Sequence, residues 1–145
     1  MVVPFGRPGG LFSMGSPPRI LIVEDSVLVA MAVEAVLADR GYEVVVGGSL
    51  AAADQRLRQG TIAAALLDVD LPDGNTLELA RDFVALGIPV AICSGVDSGS
   101  VLTGYPPTQR FDKPIQPERL ADWVDSVVRP APQPTAGLSG EPLPG

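Results

Sequence analysis

The chain has no histidine, one cysteine (Cys93) and one lysine (Lys113) among 145 residues. Without histidine there is no Ser–His or Cys–His nucleophile pair, no imidazole zinc site and no phosphohistidine. A single cysteine excludes an internal disulfide. No apolar run reaches the roughly 20 residues that span a bilayer. Pro4, Gly6, Pro8, Gly9 and Gly10 interrupt the stretch where a signal peptide would need its apolar region. These absences point to a cytoplasmic protein whose chemistry runs on carboxylates, hydroxyls and cations. Positive charge is scarce too. Ten basic residues against seventeen acidic ones leave a net charge of −7, which argues against a nucleic-acid surface. Every other cation is arginine, so Lys113 stands out.

Residues 1–18 and 130–145 hold nine of the fifteen prolines and seven of the sixteen glycines, with Arg7 and Glu141 as their only charges. Such composition offers little to bury and predicts two disordered tails around one folded domain at 19–129. Met14, just ahead of that domain, is an alternative start. Within the domain, aliphatic runs recur at Ile20 to Val23, Tyr42 to Val46, Ile62 to Leu67, Ile88 to Cys93 and around Phe111, which read as buried strands. Between them, Val29, Val33, Val36, Leu37 and Arg40 follow a helical stripe that Gly41 stops. Ser49 caps a helix with Leu50, Ala53 and Leu57 on one face. Leu77, Ala80 and Val84 mark a third helix ending at Gly87, and Pro117 opens the last one, with Leu120, Val124, Val127 and Val128. Glycines and prolines crowd residues 95–110, so only a short fourth helix fits between Asp97 and Thr103. Alternating strands and helices imply a parallel sheet covered on both faces, with its site at the carboxyl ends of the strands.

Those ends carry polar groups. Glu24 and Asp25 follow the first strand, Asp68 the third, Ser94 the fourth and Lys113 the fifth. Carboxylates brought together repel one another unless a cation intervenes, and Mg²⁺ suits two carboxylates plus a backbone carbonyl. Lysine and serine beside them describe a place for a phosphoryl group, with Asp68 as a nucleophile able to form an acyl phosphate. Taken singly, each residue has a plainer role: Asp25 could cap the first helix, and Pro72-Asp73-Gly74 is an ordinary turn. Such groups at four strand ends together favour a site.

The segments ILIVEDS (20–26), ALLDVDLPDG (65–74), VAICSG (90–95) and FDKPI (111–115) resemble the receiver domain of bacterial two-component response regulators, across residues 19–129. The resemblance implies a flavodoxin-like, doubly wound five-stranded parallel sheet of order 2-1-3-4-5. It implies that Asp68 accepts a phosphoryl group from a histidine kinase or histidine phosphotransferase. Asp25, Asp68 and the backbone carbonyl of Asp70 would then hold Mg²⁺, with Glu24 contributing indirectly. Ser94 would be the switch hydroxyl and Lys113 the phosphoryl-pairing lysine, with a Lys113-Pro114 bond that is cis in many relatives. No output domain follows, so a stand-alone, monomeric receiver acting through another protein is expected. The pattern departs at Arg110, where the family usually places Tyr or Phe three residues before the lysine. Two rivals remain. A receiver-like adaptor could work without phosphorylation. A haloacid dehalogenase-type phosphohydrolase would share the Asp68-Val69-Asp70 start, but would place its acidic pair after the lysine rather than before Asp68.

Overall fold

The computed structural model describes residues 16–95 and 104–129, so most of both expected tails and the expected short fourth helix lie outside the described residues. Five parallel strands form the sheet: β1 (Arg19–Val23), β2 (Glu43–Gly47), β3 (Ala64–Asp68), β4 (Val90–Ser94) and β5 (Gln109–Asp112). Their order is β2-β1-β3-β4-β5, which the resemblance implied. The helices are α1 (Val27–Asp39), α2 (Leu50–Arg58), α3 (Leu77–Ala85) and α4 (Pro117–Val128). Among the described residues no helix is long and apolar enough to cross a membrane.

Strand side chains alternate between the two faces, and both faces are covered. Ile20, Ile22, Ala64, Leu66, Ala91 and Cys93 point to one side, where they pack with Ala30, Val33 and Leu37 of α1 and with Leu120 and Val124 of α4. Leu21, Val23, Ala65, Leu67, Val90 and Ile92 meet Ala53 of α2 and Ala80 and Phe83 of α3 on the other. Each large side chain so buried contributes about 1.5–3 kcal/mol of transfer free energy.

The apolar runs place some ends too early. Ile62 is buried, yet β3 begins only at Ala64, and β4 begins at Val90 after Pro89, so both isoleucines of the connections pack ahead of the ladders. At the other end, Asp68 and Ser94 are themselves the last strand residues. Pro18, assigned to the tail by composition, already accepts the Glu43 N–H at 3.0 Å. Two helix faces also differ from expectation. Val33 and Leu37 of α1 and Ala80 of α3 are buried as the stripes imply, but Val29 and Val84 are exposed and the neighbouring Ala30 and Phe83 are buried instead, a difference of one residue at the stripe edge that spacing resolves poorly.

Caps explain the helix ends. Ser26 accepts the Val29 N–H and Ser49 the Ala52 N–H at 3.1 Å. Gly41 and Gly87 sit at positive φ just past α1 and α3. Asp73, in the turn of a two-residue hairpin joining Asp70–Leu71 to Gly74–Asn75, reaches back to α2 and accepts the N–H groups of Leu50 and Ala51. Those bonds hold its carboxyl below the usual value.

A polar clamp ties α1 to α4 at the opposite end from the candidate residues. The Tyr42 phenol donates to Asp125, Arg40 donates to Asp122 at 2.9 Å and to Asp125 at 2.8 Å, and the Arg129 guanidinium lies 4.3 Å over the Tyr42 ring. Burial, reinforced by the bond to Asp125, pushes the Tyr42 phenol up from 10.0 to about 12. A group whose pKa rises on folding stabilises the fold fully below its unfolded value and loses that contribution as pH climbs through the folded one. Tyr42→Phe is therefore expected to cost about 1 kcal/mol at neutral pH. In urea titrations it should also flatten the fall in stability between pH 10 and about 12; an unchanged alkaline limb would show that the clamp contributes nothing there.

Candidate functional site

The parallel register brings the candidate residues to one rim. β3 is flanked by β1 and β4, with Asp68 opposite Cys93 and Ser94 opposite Asp112. One carboxylate oxygen each from Glu24, Asp25 and Asp68 lie within 4.8 Å of one another. Lys113 reaches between two of them, with Nζ 3.1 Å from Glu24 Oε1 and 3.0 Å from Asp68 Oδ1. The Lys113 N–H bonds the Ser94 carbonyl at 2.7 Å, which fixes the base of that side chain, and the Lys113-Pro114 peptide is cis.

The three carboxylates differ in environment. Glu24 is buried, and both its oxygens are engaged, one by Lys113 and the other by the Ser26 N–H at 3.0 Å. Burial pushes its carboxyl above the usual range against the pull of those two bonds. Asp25 is exposed and does not cap α1, since Ser26 does. Asp68 is half-buried, and its Oδ1 also accepts its neighbour's N–H, from Val69, at 2.9 Å. Burial alone would lower the Lys113 pKa, but the bonds to Asp68 and Glu24 outweigh it and raise it, so the ammonium stays charged. Ser94 is buried at the tip of β4. Asp70 opens the small hairpin opposite Asn75, and its side chain lies outside the described residues.

Three carboxylates against one ammonium leave an excess of negative charge made only of hard oxygen donors, which fits Mg²⁺ and not a soft metal. A cleft of about 620 Å³ opens beside them, between α1 and the β5–α4 connection, lined by Leu28, Val29, Ile115, Pro117 and Leu120 with Asp68 and Lys113 exposed to it. Cys93 also borders the cleft, but burial pushes its thiol up to about 12, so it packs as an apolar group.

Residues 20–125 match the response regulator receiver domain family. The chain belongs to that family. As a receiver domain of the phosphoacceptor class it is a signalling module of two-component systems, and receivers bind Mg²⁺ at an acidic pocket of this kind. A protein-glutamate methylesterase/protein-glutamine glutaminase from Anaeromyxobacter dehalogenans (strain 2CP-C) is 38% identical over 143 residues. The match takes in 86% of this chain and 39% of that relative, so the chain spans well under half of its length. A CheY-like receiver domain protein from Methanospirillum hungatei JF-1 and a receiver protein from Sinorhizobium medicae WSM419 both superpose with a TM-score of 0.67. They are 23% and 21% identical, covering 77% of this chain and 93% and 94% of theirs, a likeness that bears on the fold.

Two residues of this receiver that the sequence did not single out stand behind Asp68, one bonded to its main chain and the other bonded to the first. Thr76, fully buried, donates its hydroxyl to the Asp68 carbonyl at 2.7 Å, and Tyr105, buried beside it, lies 2.9 Å from the same hydroxyl. Neither has a sequence signal, because Thr76 reads as a helix cap and Tyr105 sits among glycine and prolines.

The excess of negative charge has a measurable consequence. Asp25→Ala should abolish Mg²⁺-dependent amide shifts at Asp68 and Gly95. In chelator it should leave stability equal or higher by up to about 1 kcal/mol, because a repelling charge is gone. Unchanged Mg²⁺ titration, or a clear loss of stability in urea denaturation, would remove Asp25 from the site.

Proposed function

We propose that this receiver takes a phosphoryl group from a histidine kinase or histidine phosphotransferase onto Asp68 and signals through a protein partner. The observation that carries this reading is the placement of Asp68, at the end of the central strand with Lys113 Nζ 3.0 Å from its Oδ1 and two more carboxylates alongside. Oδ1 is held by the Val69 N–H and by Lys113, which orients the carboxylate and leaves Oδ2 as the attacking oxygen. Its lone pair forms the new O–P bond as the P–N bond to the donor imidazolium breaks, and the ring departs as neutral imidazole with its proton on the other nitrogen. Lys113 offsets charge on one phosphoryl oxygen while the Ser94 hydroxyl donates to another. Magnesium held by Asp25, Asp68 and the Asp70 carbonyl, with Glu24 behind them, would offset the remaining phosphoryl charge.

The donor side has support in α1. Leu28 is 80% exposed and lines the Asp68 cleft together with Val29, and Val27 and Met31 of the same helix are exposed as well. An apolar surface of this kind suits a protein donor better than a small phosphate ester. The methylesterase activity named for the longer relatives is not carried over, because these 145 residues hold no histidine to serve a hydroxyl nucleophile. Arg110, on edge strand β5, is exposed, which leaves the family's usual aromatic switch without its ring.

Incubation with acetyl phosphate and Mg²⁺ should add one phosphoryl group by intact mass, and Asp68→Asn should add none. Full labelling of that variant would overturn the assignment. Leu28→Asp should slow transfer from a phosphorylated protein donor by about tenfold or more while labelling by acetyl phosphate keeps its wild-type rate. Equal slowing with both donors would instead place Leu28 in the chemistry and remove the docking role.

A further inference from the structure

Thr76 stands at the N-cap of α3, where a threonine normally accepts an N–H of the first turn, yet it makes no such cap bond. Its hydroxyl is spent elsewhere. It has one proton, and that proton goes to the Asp68 carbonyl at 2.7 Å. The 2.9 Å contact with Tyr105 must then run the other way, with the phenol donating to Thr76 Oγ1. The same threonine is held by its backbone, through its N–H to the Val69 carbonyl at 3.1 Å. Thr76 is fully buried and Tyr105 nearly so, which makes each of these bonds costly to leave unmade.

The Tyr105 end is anchored as well. Its ring belongs to the apolar cluster on the α2 and α3 face of the sheet. Gly104, at φ +95, turns the chain immediately before it, and Arg81 of α3 donates to the Gly104 carbonyl at 3.0 Å. One hydrogen-bonded line therefore joins the main chain of Asp68, the start of α3 and the segment that leads into β5. Arg110 lies further along that segment, exposed, at the position three before Lys113.

We infer that Thr76 and Tyr105 form a positioning pair for this receiver, fixing the Asp68 main chain and carrying its displacement to residues 104–109 and the β5 edge. The inference rests on the reading of Asp68 as phosphoacceptor. A bond to Asp68 that pulls its peptide moves the carbonyl, and the Thr76 hydroxyl follows or lets go. Either response changes what the Tyr105 phenol donates to, and the ring is tied to a segment whose far end is β5. The output route so defined needs no aromatic ring at position 110. Two arrangements of a buried, fully satisfied hydrogen-bond line are a discrete element that a ligand can bias, which is what coupling between two sites requires.

The test uses beryllofluoride with Mg²⁺ as the probe on the full chain, read by amide chemical shifts. In the wild type, shifts should appear at Val69, Gly95 and Lys113 around the site and also at Gly104, Tyr105, Thr108 and Gln109. Tyr105→Phe keeps the ring in the core and removes the donor. It should leave the near-site shifts intact and cut the distant ones by about half or more, the scale expected for losing one coupling hydrogen bond. Thr76→Val should do the same and Thr76→Ser should restore the response, a rescue that simple loss of packing would not give. Wild-type propagation in Tyr105→Phe, or failure of Thr76→Ser to rescue, would overturn the relay. Absence of any near-site shift in the wild type would instead remove the phosphoacceptor reading, and the relay with it.

Discussion

The lysine ammonium held between Glu24 and Asp68 is the interaction on which the rest of this receiver depends. Three carboxylates at one rim of a parallel sheet repel one another, and Lys113, at 3.0–3.1 Å from two of them, is the positive side chain that offsets part of that repulsion. Its placement needs three elements in agreement. β1 must deliver Glu24, β3 must deliver Asp68, and the end of β5 must stand close enough to both for a lysine to reach across β4. A one-residue slip of any strand would reverse the faces of its side chains and separate the charges. Glu24 also takes the Ser26 N–H, so the same charge cluster fixes the turn into α1.

The balance is deliberately incomplete. Lysine satisfies Glu24 and shares Asp68, but Asp25 stays exposed and the summed charge stays negative. An excess of negative charge on oxygen donors is the setting that suits a divalent cation. The structural cost of gathering like charges is met by the two apolar layers beneath them and by the α1–α4 clamp at the opposite end of the sheet. Stability and reactivity are thereby segregated along the strand direction, as expected where function sits on loops above a rigid sheet.

Asp73 and Thr76 show how plain turn chemistry is diverted by tertiary contacts. The Pro72-Asp73-Gly74 sequence does make a tight turn, but its carboxylate also caps α2 through Leu50 and Ala51. Thr76 stands where a cap is expected and bonds Asp68 instead. Both residues follow local rules in where they sit and depart from them in what they touch. No local rule encodes a partner that lies dozens of residues away, such as Leu50 for Asp73 or Tyr105 for Thr76.

The sequence by itself determined the alternation of buried strands and amphipathic helices, the parallel sheet, and the presence of acidic, hydroxyl and ammonium groups at successive strand ends. These follow from side-chain period and from the turn residues that stop each element, which are local properties. It placed Val33, Leu37 and Ala80 on the buried sides of α1 and α3 but not the edge of either stripe, because stripes one residue apart differ little in hydrophobicity, and the choice of Ala30 over Val29 and Phe83 over Val84 is made by the opposing sheet. Only the tertiary structure decided that Lys113 bridges Glu24 and Asp68, that Ser26 rather than Asp25 caps α1, and that a buried tyrosine among glycine and prolines is wired to Asp68 through Thr76. The Lys113 bridge and the Thr76–Tyr105 bond join residues 29 to 89 positions apart, and chain periodicity carries no information about such pairs until packing brings them together.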